Sequence, residues 1–345
     1  MPIIEAHGLA KHFKVLNRRE GLGGAFLDLF SRDYRYVKAV DGIDLSIEAG
    51  EIVGFIGPNG AGKSTTIKML IGVLEATSGT VVVNGFVPYK DRPRYVRDIG
   101  VVLGQRTQLW WDLPVIESFK ILREIYRLDA RSYETNLGLF KELFDLGELL
   151  AKPVRTLSLG QRMLCDIAAA FLHDPEIIFL DEPTIGLDVE VRSKVREVVK
   201  RLNEMRGTTI VLTSHDVGDI EELARRIILI DGGKLLYDGL SERFLGIFGR
   251  YRTLRLDCRA LIADAGGPGA RDLIAAALVQ AFPGPGGPTL GKSEGQWLDV
   301  IVNQDEVALV EVLSFLMRKF SFDDIKVEEI EMAEVIRKVY EGALR

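Results

Sequence analysis

Residues 57–64, GPNGAGKS, place Gly57, Gly62, Lys63 and Ser64 at the spacing G-x-x-x-x-G-K-[ST]. The chemistry this allows is phosphate binding. Gly57, Gly60 and Gly62 let backbone N–H groups of the loop turn inward, so that Pro58, Asn59, Ala61 and Thr65 belong to one anion cradle at a helix N-terminus. Lys63 suits the β- and γ-phosphates of a nucleotide, and the Ser64 hydroxyl suits Mg²⁺. A second chemical pair stands in IIFLDEP, where an apolar run ends on Asp181 and Glu182. Asp181 suits Mg²⁺ held through water. Glu182 suits polarising the water that attacks a γ-phosphate.

These groups need a scaffold that brings a loop and a strand end together. An apolar strand, Ile52 to Ile56, leads into the loop, and a helix with Ile67, Leu70, Ile71 and Leu74 on one face leads out. Across residues 1–240, strands and helices alternate, which predicts an α/β domain with a central, largely parallel sheet. Its strands are EIVGFIG, TVVVNG, IGVVLG, EIIFLD, TTIVLTS and RIILIDGGKLLYDG, each rich in Val, Ile and Leu as strands buried on both faces should be. The acidic pair then sits at a strand's C-terminal end, where such sheets place ligands. Residues 115–150 have helical spacing and no strand, a helical insertion spanning about 106–160. After about residue 245 come strands YRTLRLDC, QWLDVIV and DDIKVEEIEM, and amphipathic helices in ARDLIAAALVQAF, EVALVEVLSFLMRKF and AEVIRKVYEGAL. The expected division is 1–245 for the nucleotide domain and 246–345 for a small α+β accessory or dimerisation domain.

Composition narrows the class. With 345 residues, 47% of them apolar and 27% charged, the chain has room for two cores and is neither disordered nor fibrous. A net charge of −6 argues against nucleic acid as a partner. Cys165 and Cys258 form no disulfide or zinc pattern, which suits a reducing compartment. The start MPIIEAHGLAKHF lacks a signal peptide's apolar core, and no apolar run reaches the roughly 20 residues of a membrane span.

The stretch RTLSLGQRMLCDIAAAFLHDPEIIFLDEPTIGLD resembles the ABC ATPases over its whole length, and most closely the ABC-2, drug-resistance-like exporter ATPases. Residues 157–161, LSLGQ, stand where that family has its L-S-G-G-Q signature; Leu159 departs from the usual glycine. The resemblance implies ATP as substrate with Mg²⁺. It also implies that Ser158, Gly160 and Gln161 reach the γ-phosphate held by a second copy in a head-to-tail dimer. Asp188, in Gly186-Leu187-Asp188, would lie at the dimer seam. His215 would be the switch histidine at the γ-phosphate, and Gln105 would contact metal and attacking water. For adenine stacking the candidates are Tyr34, Tyr36 and Phe13, and Tyr34 is chosen.

By the same resemblance the chain is the ATPase subunit of a transporter, held at the cytoplasmic face of the cell membrane by separate membrane permease subunits. The adjacent Trp110 and Trp111 in GQRTQLWWDLP then line the groove for a partner helix; the alternative is packing inside the helical insertion. The insert at residues 16–36, with Phe26, Leu27, Leu29 and Phe30 between arginines, reads either as a membrane-surface segment or as one packed on its own domain. Other classes are an ABC ATPase serving a cytoplasmic machine, and a P-loop kinase, which would need neither LSLGQ nor the seam.

Overall fold

The computed structural model describes residues 2–16, 34–104, 106–214, 217–261, 269–284 and 286–342. Strands β1 (Pro2–Leu16) and β2 (Tyr34–Glu48) form a long antiparallel pair from Pro2 opposite Glu48 to Leu16 opposite Tyr34. In β2, Ile43, Leu45 and Ile47 are buried while Asp44, Ser46 and Glu48 are exposed. That alternation marks an antiparallel sheet with one wet face. After β3 (Ile52–Ile56) and helix α1 (Lys63–Leu70), β4 (Ser78–Val83) pairs with β1, which gives the order β2-β1-β4.

The rest of the first unit alternates as α/β folds do. It runs α2 (Arg92–Tyr95), β5 (Ile99–Leu103), α3 (Val115–Tyr126), α4 (Ala130–Leu143), α5 (Leu159–Ala170), β6 (Ile177–Asp181), α6 (Val189–Arg206), β7 (Thr209–Ser214), α7 (Val217–Leu223), β8 (Arg226–Asp231) and β9 (Lys234–Leu240). The described strands of the second sheet are ordered β5-β6-β7-β3-β8-β9, parallel except for the last pair. Ile177, Ile178, Phe179 and Leu180 of β6 are all buried, so neither face of this strand meets water. The register aligns Ile56 with Ser214 and Asp181 with Thr213. The C-terminal ends of β3, β7 and β6 therefore lie side by side, with the end of β7 between the phosphate loop and the acidic pair. One apolar cluster, including Ile4, Ile43, Phe55, Ile67, Phe179 and Val211, joins both sheets to α1.

Residues Glu242–Arg345 form a second compact unit, and Met1–Ser241 the first. The second contains α8 (Ser241–Arg250, all but its first residue), β10 (Tyr251–Asp257), α9 (Gly269–Ala281), β11 (Thr289–Glu294), β12 (Trp297–Asn303), α10 (Leu309–Lys319), β13 (Ile325–Glu329) and α11 (Met332–Tyr340). Its sheet is antiparallel in the order β11-β12-β10-β13. Leu254, Leu256, Val300 and Val302 pack with Ile274 and Leu278 of α9 and Val312 and Leu316 of α10 in a core of its own.

Four expectations need correction. TVVVNG is not a doubly buried strand of the parallel sheet: β4 lies at the edge of the antiparallel sheet, with Val82 exposed. RIILIDGGKLLYDG is a hairpin, because Gly232 and Gly233 both take positive φ and turn β9 back along β8. Helix α1 stops at Leu70, so Ile71 and Leu74 fall beyond it. The C-terminal sheet has β11 as a fourth strand besides the three expected. Among the described residues no helix is long and apolar enough to cross a membrane.

Candidate nucleotide site

The phosphate loop is shaped by contacts that only glycine tolerates. Gly57 has φ +151°, and a Cβ there would lie 2.1 Å from the Ile230 carbonyl oxygen. At Gly62, the N-cap of α1 with φ +113°, a Cβ would lie 2.5 Å from the Ala39 carbonyl oxygen. The loop is thus pressed against both β8 and β2 and can keep its N–H groups turned inward. Residues 58–65 line a pocket of about 340 Å³ together with Ala39, Glu182 and Ile185. Lys63 is buried; its Nζ donates to the carbonyls of Gly57 at 2.7 Å and Pro58 at 3.2 Å, and lies 3.9 Å from Glu182 Oε1. Burial pulls the lysine pKa down, against the carboxylates of Glu182 and Asp181, which raise it.

The acidic pair is fixed by a residue that sequence reasoning did not single out. Thr213, near the end of β7, donates its hydroxyl to Asp181 Oδ1 at 2.6 Å, and the Thr213 hydroxyl oxygen accepts the Glu182 N–H at 3.0 Å. Ser64 Oγ also donates to Asp181 Oδ1, at 3.0 Å. Glu182 itself has φ +54°, a left-handed backbone unusual outside glycine and asparagine. Such strain is held only where surrounding bonds impose it, here the Thr213 hydroxyl and carbonyl, both of which accept the Glu182 N–H. The only legible sign of Thr213 was its place at the end of TTIVLTS, beside the acids.

Ser64 and Asp181 offer a hydroxyl and a carboxylate oxygen, the hard donors that suit Mg²⁺ bound mostly through water and phosphate. These two residues fit the ion. Among the described residues no group of three or more His, Cys, Asp or Glu could hold a metal ion.

The signature residues stand elsewhere. Ser158 is the N-cap of α5: its Oγ accepts the Gln161 N–H at 3.2 Å, and Gln161 Oε1 accepts the Ser158 N–H at 3.1 Å, a capping box. Gly160 is required by packing as well, since a Cβ there would press to 2.8 Å on Val191 of α6. The leucine at 159 has a structural reason: its side chain lies against Gly186, where a Cβ would come within 3.3 Å of it. Asp188 caps α6 by accepting the Val191 N–H at 2.9 Å. None of Ser158, Gly160, Gln161 or Asp188 lines the phosphate pocket.

Tyr34 does not line it either, and Lys14 Nζ sits 4.0 Å above its ring. Gln105, His215 and most of the 16–36 insert lie outside the described residues. Trp110 and Trp111 are 39% and 50% exposed, so neither is swallowed by a core.

A phosphate loop after β3, an acidic pair at the end of β6 and a hydroxyl-bearing strand between them define a P-loop nucleotide hydrolase. Residues 40–185 match the family model described as ABC transporter. The chain is 33% identical over 213 residues to the ABC transporter ATP-binding protein NatA of Bacillus subtilis, covering 62% of this chain and 86% of that one. It is 38% identical over 224 residues to the daunorubicin/doxorubicin resistance ATP-binding protein DrrA of Streptomyces peucetius, covering 65% and 67%. A solved ATP-binding subunit of an ABC transporter superposes with a TM-score of 0.59 at 23% identity, over 72% of this chain and 93% of that one. The chain belongs to the ABC transporter ATP-binding proteins, in the company of the ABC-2, drug-resistance type, and is an ATPase.

Proposed function

We propose that the chain drives export through separate membrane permease subunits, and that two copies close head to tail over two ATP molecules. One observation carries the pairing. Ser158, Gly160 and Gln161, at the capped start of α5, do not line their own chain's phosphate pocket, which supports their completing a site on a second copy. In that site the loop N–H groups and Lys63 hold the phosphates, Ser64 and Asp181 hold Mg²⁺, and Glu182 takes the proton of the attacking water. Mg²⁺, when bound, neutralises charge on the β- and γ-oxygens. Gln105 and His215 act at the metal, water and γ-phosphate, Asp188 at the seam, and Tyr34 against adenine. Similarity to DrrA, named for daunorubicin and doxorubicin resistance, supports the exporter reading. The permease places the chain at the cytoplasmic face of the membrane, and residues 246–345 serve assembly.

The test mixes a Lys63→Ala chain with a Ser158→Arg chain. The mixed dimer has one composite site with both lesions and one with neither. Hydrolysis well above that of either parent is expected. A mixed dimer as inactive as the parents removes the sandwich.

A further inference from the structure

Asp166 is a buried carboxylate in the middle of α5 for which the phosphate chemistry has no use. Its Oδ1 accepts the Thr107 hydroxyl at 2.9 Å and the Gln108 N–H at 3.0 Å. The Gln108 side-chain amide donates in turn to the Asp166 carbonyl at 2.9 Å. The Thr107 hydroxyl oxygen also accepts the Leu109 N–H at 3.1 Å, which fixes the turn that presents these donors.

The same segment is tied to the approach to Ser158. The Arg155 N–H donates to the Trp111 carbonyl and the Val154 N–H to the Leu113 carbonyl, both at 3.0 Å. The Arg162 guanidinium lies 5.5 Å from the Trp111 ring. Ser158, Arg162 and Asp166 are spaced four apart and so share one stripe of the helix. Residues 107–113 are therefore laced to the chain on both sides of Ser158.

Packing alone does not call for an acid at this place. The neighbouring Cys165, Ile167 and Ala168 are apolar and buried, and burial pushes the Asp166 carboxyl up to about 6. An apolar side chain would avoid that desolvation. What the carboxylate supplies, and an apolar group cannot, is a directed acceptor for two donors of another segment.

We propose that Asp166 is a positioning residue that locks residues 107–113 to the start of α5, so that its effect on hydrolysis falls on the nucleotide held by the partner copy. This rests on the head-to-tail pairing proposed above. If Ser158 serves the other chain's nucleotide, then a residue acting through Ser158 must act in trans, although its own bonds are all within one chain. A merely structural role, or one exerted on the chain's own phosphate loop, acts in cis.

The experiment uses full-length chains. Asp166→Ala alone is expected to lower kcat between about 10- and 100-fold, the scale of a displaced site group, with KM for ATP within about twofold of normal. Asp166→Asn keeps an oxygen acceptor and should retain most of the activity. The deciding measurement pairs an Asp166→Ala chain with a Lys63→Ala chain, beside the Ser158→Arg and Lys63→Ala pair as control. Recovery in both mixtures supports the proposal. Recovery in the control alone overturns it, because Asp166 then acts on its own chain's site or only on the fold. No recovery in either removes the pairing and this inference with it. Should Asp166→Ala fail to fold, Thr107→Val removes the hydroxyl bond to Asp166 from the opposite side, together with the acceptor for the Leu109 N–H, and must give the same pattern of recovery.

Discussion

Thr213 and Glu182 separate two kinds of contribution at a single strand end. The Thr213 hydroxyl gives its proton to Asp181 and receives the Glu182 N–H, so one oxygen sets the positions of both acids. Thr213→Val keeps the shape and removes both bonds. Losing hydrogen bonds of which one serves a charged carboxylate costs about 1–3 kcal/mol, and expressed at the transition state this lowers hydrolysis roughly 5- to 150-fold. Glu182→Gln keeps the bonds to Thr213, which use the Glu182 backbone, and removes the base; hydrolysis should fall by about 10²–10⁴. Both variants should bind ATP nearly as the parent does, measured with a fluorescent ATP analogue beside steady-state turnover. Near-normal turnover in Glu182→Gln would move the base elsewhere. The loop and the acids were legible because each is a contiguous run whose residue types state its chemistry. Thr213 was not, since a threonine ending a strand is ordinary until the register with β6 brings it to Asp181.

His173 illustrates how elements, and not single groups, hold the helical insertion to the sheet. Its ring stacks on Tyr126 of α3 with centroids 3.8 Å apart, and its Nε2–H donates to the Ile99 carbonyl of β5 at 3.0 Å. Burial lowers the His173 pKa from 6.5 to about 4. The neutral form is the one the fold accepts, so its contribution is complete above pH 6.5 and is lost as pH falls from 6.5 towards 4. At pH 5 the loss is about 2 kcal/mol by linkage. His173→Gln removes this dependence; between pH 7.5 and 5 its stability in urea should fall less than the parent's by about that amount. Equal losses in both proteins would place the acid sensitivity elsewhere. Legibility at this scale followed burial. The parallel strands ending at the site were read correctly because they are unbroken apolar runs. The hairpin of β1 and β2 was missed, since its outer end carries Lys14, Arg35 and Tyr36, exposed and without apolar alternation. In β4 the run Val81-Val82-Val83 looks doubly buried, and only pairing with β1 reveals an edge. The strand TLGKSE was hidden by its polar composition.

At the scale of the whole molecule the two compact units have separate cores, and the phosphate loop and the acidic pair lie in the first. The surface proposed for a partner is Trp110 and Trp111, whose surroundings already account for their backbones. The Trp110 N–H donates to the buried Ser118 hydroxyl, and the Trp111 carbonyl accepts the Arg155 N–H. The segment therefore holds its course without the indole rings, of which 39% and 50% of the residue surface faces solvent. Within the chain the Trp111 ring meets the Arg162 guanidinium at 5.5 Å, but much of both residues stays exposed, and at an interface truncating a central aromatic anchor costs about 2 kcal/mol or more. Replacing both by alanine should leave the phosphate loop, Asp181 and Glu182 as they are. Basal ATP hydrolysis is expected within a few-fold of normal, and the melting temperature should change little. Co-purification with the membrane subunits should weaken sharply. Melting temperature, basal hydrolysis and co-purification are to be measured on the same preparations. A large drop in melting temperature with assembly intact would mean that the rings stabilise the helical insertion itself, and the docking groove would have to be sought on another face.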